Sequence, residues 1–169
     1  MKIYYEMNIT ISKTDSVIRT VIVDAVLLAI ICIVPAISHI VAFPLYKLNP
    51  MLFCLMTGML LVGDKRNAYL LAVMLPLVST MMSGMPIPVK MICMIPEMLS
   101  VVAVFQLLQN YWKAFPSILA AVLVGKVVYY VIKAFVIAPA ALFGTSLLIQ
   151  GIVVFVFAAI FALLYSKRQ

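Results

Sequence analysis

The chain has 169 residues, 67% of them hydrophobic and 10% charged, with a mean hydropathy of +1.25; this lies outside the range of water-soluble domains and makes lipid the expected solvent. The length accommodates six spans of about 20 residues with short loops and no appended soluble catalytic domain, so residues 1–169 read as one domain. A net charge of +7 does not indicate nucleic acid, because the basic residues sit mostly at the ends of apolar stretches, where they set orientation.

In chain order, residues 1–16 are polar and mixed in charge. They lack the short apolar run and small-residue cleavage site of a secretory signal and are expected to remain as a short cytoplasmic segment. Apolar stretches then predict spans over 17–38, 50–62, 68–82, 89–109, 117–136 and 146–165, separated by turn-forming or charged segments. The expected fold is all-α, an integral membrane bundle of six transmembrane helices. Spans two and three are short, and Pro76, Pro86, Pro88 and Pro96 cluster around spans three and four. Such interruptions belong where backbone lines a cavity instead of facing lipid.

Lysine and arginine placement gives the orientation. With a cytoplasmic N-terminus, the inner segments carry Lys2, Lys13, Arg19, Lys65, Arg66, Lys113, Lys167 and Arg168, against Lys47, Lys90 and Lys133 outside. Both termini are therefore expected in the cytoplasm, with the protein multi-pass in the inner membrane. The acceptor-like Asn8-Ile9-Thr10 falls on the cytoplasmic side, where N-glycosylation does not occur.

Cys32, Cys54 and Cys93 lie in apolar stretches without CxxC spacing and read as buried thiols. A single histidine, His39, argues against a multi-histidine metal site and against bis-histidine haem, so neither metal nor cofactor is expected. The chain also lacks Walker A, HExxH, GxSxG and aspartate-rich motifs. Binding or transport is expected instead of catalysis.

An α-helix rises about 1.5 Å per residue, which assigns the intramembrane polar groups a depth. Glu97 falls about 12 Å below the outer boundary. Lys126 lies near mid-membrane with Tyr129, Tyr130 and Lys133 above it, and Gln150, Ser79 and Thr80 share the outer half. The first outer loop adds His39, Tyr46, Lys47 and Asn49, and Lys90 follows the turn after span three. A charge at mid-bilayer costs roughly 2.5–3.5 kcal/mol on insertion scales. Glu97 and Lys126 thus either pair with each other to fix helix register or line an outward-open pocket. Lys133, near a helix end, has snorkelling to the interface as its plainer role. The candidate ligand-binding set is His39, Tyr46, Asn49, Ser79, Lys90, Glu97, Lys126, Tyr129, Lys133 and Gln150, and its excess of lysine favours an anionic ligand. Met51, Met56 and Met59 read as core filling before pocket lining.

On the cytoplasmic side, Asp24 is followed by Ala25 and Ala29, four apart on one helix face and small enough for a second helix to approach closely. Ala121 with Gly125 and Ala158 with Ala162 have the same spacing, so packing within the protein competes with docking of a partner.

Ala25-Val26-Leu27-Leu28-Ala29, Ser38-His39-Ile40, the run from Pro76 to Pro86 (PLVSTMMSGMP) and Glu97 together resemble the substrate-binding S components of energy-coupling factor (ECF) vitamin transporters. The resemblance implies a six-helix protein that binds a vitamin-like micronutrient from outside. It also implies docking through Ala25 and Ala29 on a transmembrane T component that works with two ABC-type ATPases. Met51-Leu52-Phe53 departs from the polar residue expected soon after Pro50, and Lys126 stands where arginine is more usual; lysine does not reproduce arginine's bidentate grip. The competing readings are a membrane scaffold or assembly protein, an autonomous secondary transporter or channel, which more commonly shows an internal repeat, and an intramembrane enzyme.

Overall fold

The computed structural model describes the backbone of residues 2–42, 45–136 and 147–166 and the side chains of 16–42, 45, 48–136 and 150–166. Six α-helices follow one another: α1 (Lys2–Ile40), α2 (Pro50–Val62), α3 (Lys65–Ser83), α4 (Pro88–Leu108), α5 (Ala114–Val136) and α6 (Leu147–Ser166), with a short 3-10 turn at Leu45–Leu48. Ser16–Ile40, Pro88–Leu108 and Ala114–Val136 are long and apolar enough to cross a membrane, and Pro50–Val62 and Gln150–Ser166 are shorter apolar helices. This composition suggests a multi-pass membrane protein. α3 opens on Lys65-Arg66-Asn67, which shortens its apolar part.

The helix boundaries have local causes. α2 starts at Pro50, pre-set for a first helical position, after Asn49 in the left-handed region at φ 52°, which asparagine tolerates. It stops at Gly63, φ 74°, whose N–H donates to Met59 O. Asp64 caps α3 by accepting from Arg66 N at 3.0 Å, and Gly84, φ 68°, ends it; both glycines occupy a conformation that side chains resist. α1 begins at Lys2, so residues 2–16 continue the first helix instead of forming a separate leading segment. Neither glycine nor proline occurs before Pro35 to break it. At 39 residues it is about 58 Å long.

α2 contacts α1, α3 and α6, and α3 contacts α1, α2 and α4; α5 packs against α4 and α6. The core between them is apolar, built from residues such as Ile31, Leu55, Leu71, Leu75, Met98, Val102 and Ile118. The outside is apolar too. Val17, Ile18, Val21, Ile22, Val26, Ile30, Ile33 and Ile37 form an exposed stripe along α1, where soluble monomers ordinarily expose large apolar residues singly.

At one end of the molecule, Arg19 donates to Leu61 O at 3.2 Å, Gln106 Nε2 to Lys65 O at 3.2 Å, and Tyr165 Oη to Gln109 Oε1 at 3.0 Å. These bonds join α1 to the end of α2, the start of α3 to α4, and α4 to α6. The ends of α1, α3 and α5 and the starts of α2, α4 and α6 gather at the opposite end, around the cavity described next.

Candidate ligand cavity

A cavity of about 800 Å³ opens at this second end, within the range that holds small molecules. Two helix faces supply most of its polar groups. On α4, Lys90, Met94 and Glu97 recur at i, i+4 and i+7; on α5, Lys126, Tyr129, Tyr130 and Lys133 recur at i, i+3, i+4 and i+7, so each set shares one face. All seven line the cavity.

The deepest contact is ionic. Lys126 Nζ lies 2.6 Å from Glu97 Oε1, and Glu97 is only 2% exposed. Asn49, at the start of α2, lines the same cavity, and the Lys126 ammonium stands 5.6 Å from the Tyr129 ring centroid, within cation–π range. The two expectations for Glu97 and Lys126 therefore combine: they pair, and the pair forms part of the cavity wall. Pairing offsets the cost of holding either charge out of water.

Lys133 does not occupy the snorkelling position considered for it. It is 7% exposed and turned into the cavity, because it lies two turns beyond Lys126 on the α5 face that packs toward α4, not toward the outside of the bundle. His39, Asn49, Ser79, Lys90, Tyr129 and Gln150 also line the cavity. The Tyr46 and Lys47 side chains lie outside the described residues. Among charged side chains lining the cavity in the described residues, three lysines face one carboxylate.

The structure adds residues outside the candidate set. Tyr130 Oη donates to Gln150 Oε1 at 2.7 Å, joining α5 to α6; its i+4 spacing from Lys126 was the available signal. Ser38 lines the cavity, and its buried Oγ has no hydrogen-bond partner among the described residues. Met51, Met94, Val153 and Phe157 form apolar wall; nothing in their local sequence separates them from core residues.

Ser79 holds the cavity's rim. Its hydroxyl donates to Met85 O at 2.5 Å, while Thr80 Oγ1 lies 2.8 Å from Pro76 O and 3.0 Å from Pro86 O, and Ser83 Oγ 2.7 Å from Ser79 O. These hydroxyls fasten the turn between α3 and α4, which contains a cis Met85–Pro86 bond. Ser79→Ala is expected to lower stability by about 1 kcal/mol, measured as a reduced thermal midpoint in detergent.

Toward the other end, Asp24 accepts from Asn67 Nδ2 at 3.0 Å, so α3 answers the carboxylate of α1. The three small-residue pairs diverge here. Ala121 and Gly125, and Ala158 and Ala162, are buried in the bundle, whereas Ala25 and Ala29 are exposed. Cys54 and Cys93 are buried free thiols, and Cys32 is partly exposed. Among the described residues no three His, Cys, Asp or Glu side chains gather to hold a metal ion. No protein-family model, curated protein or solved structure matches the chain.

Proposed function

We propose that this chain is a six-span protein of the inner membrane, both termini cytoplasmic, that binds a small vitamin-like molecule in an outward-facing cavity as the S component of an ECF importer. Energy comes, on this reading, from a T component and two ABC-type ATPases. The observation that carries the proposal is the convergence of nine polar candidates, from His39 on α1 to Gln150 on α6, on one cavity of small-molecule size.

Helix lengths support it. α2 has 13 residues and reaches about 20 Å, some 10 Å short of a bilayer's hydrocarbon core. Its first residues, Pro50, Met51 and Leu52, line the same cavity as Glu97. α2 packs against α1, α3 and α6 and buries Met51, Leu52, Cys54, Leu55, Met56 and Gly58, in the direction of the rule that short segments at membrane depth lie within protein.

The exposed Ala25 and Ala29 support a partner on α1. Ala25→Trp with Ala29→Trp is expected to leave stability within about 0.5 kcal/mol, as for other substitutions on an exposed face, while co-purification of a T component is lost. Normal recovery of that complex would remove the docking face from the proposal.

The direct test is purification of the tagged protein from its native membrane in mild detergent, with mass spectrometry of co-purifying proteins and metabolites. A T component, two ATPases and a bound metabolite are the expected result. Recovery of none of these across several detergents would replace the proposal with a membrane scaffold, and flux in liposomes without an ATPase would replace it with an autonomous transporter.

A further inference from the structure

We infer that the ligand carries a phosphate-like anionic group held at the cavity mouth between Lys90 and Lys133, with its uncharged remainder lying deeper, against the Glu97–Lys126 pair. This rests on reading the cavity as a ligand site.

The inference follows from the register of two helices. α4 and α5 run antiparallel, with Glu97 and Lys126 in contact at 2.6 Å. Lys90 precedes Glu97 by seven residues and Lys133 follows Lys126 by seven, so each stands two turns, about 10.5 Å, nearer the mouth. Both line the cavity. The same displacement on antiparallel neighbours sets the two lysines at one level, above an ion pair whose charges cancel. The cavity's two other lysines therefore lie together two turns from the Glu97–Lys126 pair, Lys90 exposed and Lys133 buried in the wall.

Two features sharpen the chemistry. Lys90 sits in the first turn of α4, which begins at Pro88; a cation is electrostatically misplaced at a helix N-terminus, whereas an anion is favoured there. A lysine ammonium has three donors, so contacts of Lys133 with the protein are compatible with an anion on its cavity side. Below this level the wall turns aromatic and apolar, with Tyr129, Met94, Val153 and Phe157, and with the Ser38 hydroxyl as a polar point. A ligand with one strongly anionic end and a largely uncharged ring or chain matches this gradient in both charge and polarity.

The experiment uses the full chain in phosphatidylcholine nanodiscs, with 1-naphthyl phosphate and 1-naphthol as probes in equilibrium dialysis against empty nanodiscs. The phosphate is expected to bind at least about tenfold tighter than the naphthol, and tighter at pH 8 than at pH 5, since its second ionisation lies near pH 6 and the dianion meets two lysines. Lys90 is exposed, so Lys90→Gln should fold normally and weaken the phosphate probe about tenfold without changing naphthol. Lys133→Arg should retain binding that Lys133→Gln loses. Equal affinity for both probes, unmoved by Lys90→Gln, would overturn this inference and leave the cavity reading intact; binding of neither would overturn both. A repeat with phosphatidylglycerol in the nanodisc separates the sources. Competition by that lipid assigns the anion site to a headgroup, and indifference assigns it to a soluble ligand.

Discussion

Lys126→Met is expected to destabilise the protein by about 3–5 kcal/mol, the cost typical of leaving one member of a buried ion pair without the other. Glu97 is 2% exposed, so losing the Lys126 ammonium 2.6 Å away would leave a full charge held out of water without its counter-ion. Glu97→Gln should cost less, because Lys126 is partly exposed and has the Tyr129 ring beside it. The double variant is the informative one. With both charges gone, most of the stability should return, so the thermal midpoint of the double variant should lie above that of Lys126→Met. Ligand affinity should stay low in all three. A double variant that recovers both stability and affinity would make the pair purely a register device, and the cavity floor would lose its part in binding.

Gly125→Val is expected to have the second largest effect. A β-carbon at this position would lie 2.5 Å from Val101 Cγ2 and 3.3 Å from Glu97 O, closer than packed carbons approach. The second of these neighbours is backbone and has little room to yield. α4 and α5 would have to separate at the level of the ion pair, since Gly125 adjoins Lys126. Overpacking of this kind costs typically 1–3 kcal/mol, and here it would also lengthen the contact between Lys126 and Glu97. Both a lower thermal midpoint and weakened ligand binding are expected, measured on the purified protein. Gly151, in the interior of α6 where an added carbon meets nothing within 4 Å, is the control: Gly151→Ala should lower neither, and alanine's better helix propensity should if anything raise the midpoint.

The helices were legible because their signals are local. The stops at Gly63 and Gly84, the proline starts at Pro50 and Pro88, and the runs of apolar residues between them correspond to the observed ends of α2, α3 and α4 within a few residues. The start of α1 was less legible. Residues 2–16 are polar, and hydropathy reports only where lipid contact begins, not where helical hydrogen bonding begins. The level of the candidate polar residues was also readable, since rise per residue converts sequence position into depth. That Glu97 and Lys126 share a depth was therefore available; that they touch was not.

What the sequence by itself determined is the apolar, all-helical character, the number of helices, the ends of α2, α3 and α4 to within a few residues, and the end of the molecule at which Lys90, Glu97, Lys126 and Lys133 gather. What only the tertiary structure decided is the rotation of each helix about its own axis. That rotation turns Lys133 into the cavity, leaves Ala25 and Ala29 outside while burying Ala121 and Gly125, and brings Ser79 to Met85 O. The physical reason is that apolar periodicity orients a helix only where water on one side contrasts with core on the other. Here the exposed stripe of α1 and the buried core are equally apolar, so the choice of face rests on small-residue fit and polar pairing between helices. Those contacts join residues such as 97 and 126, or 24 and 67, that are far apart along the chain.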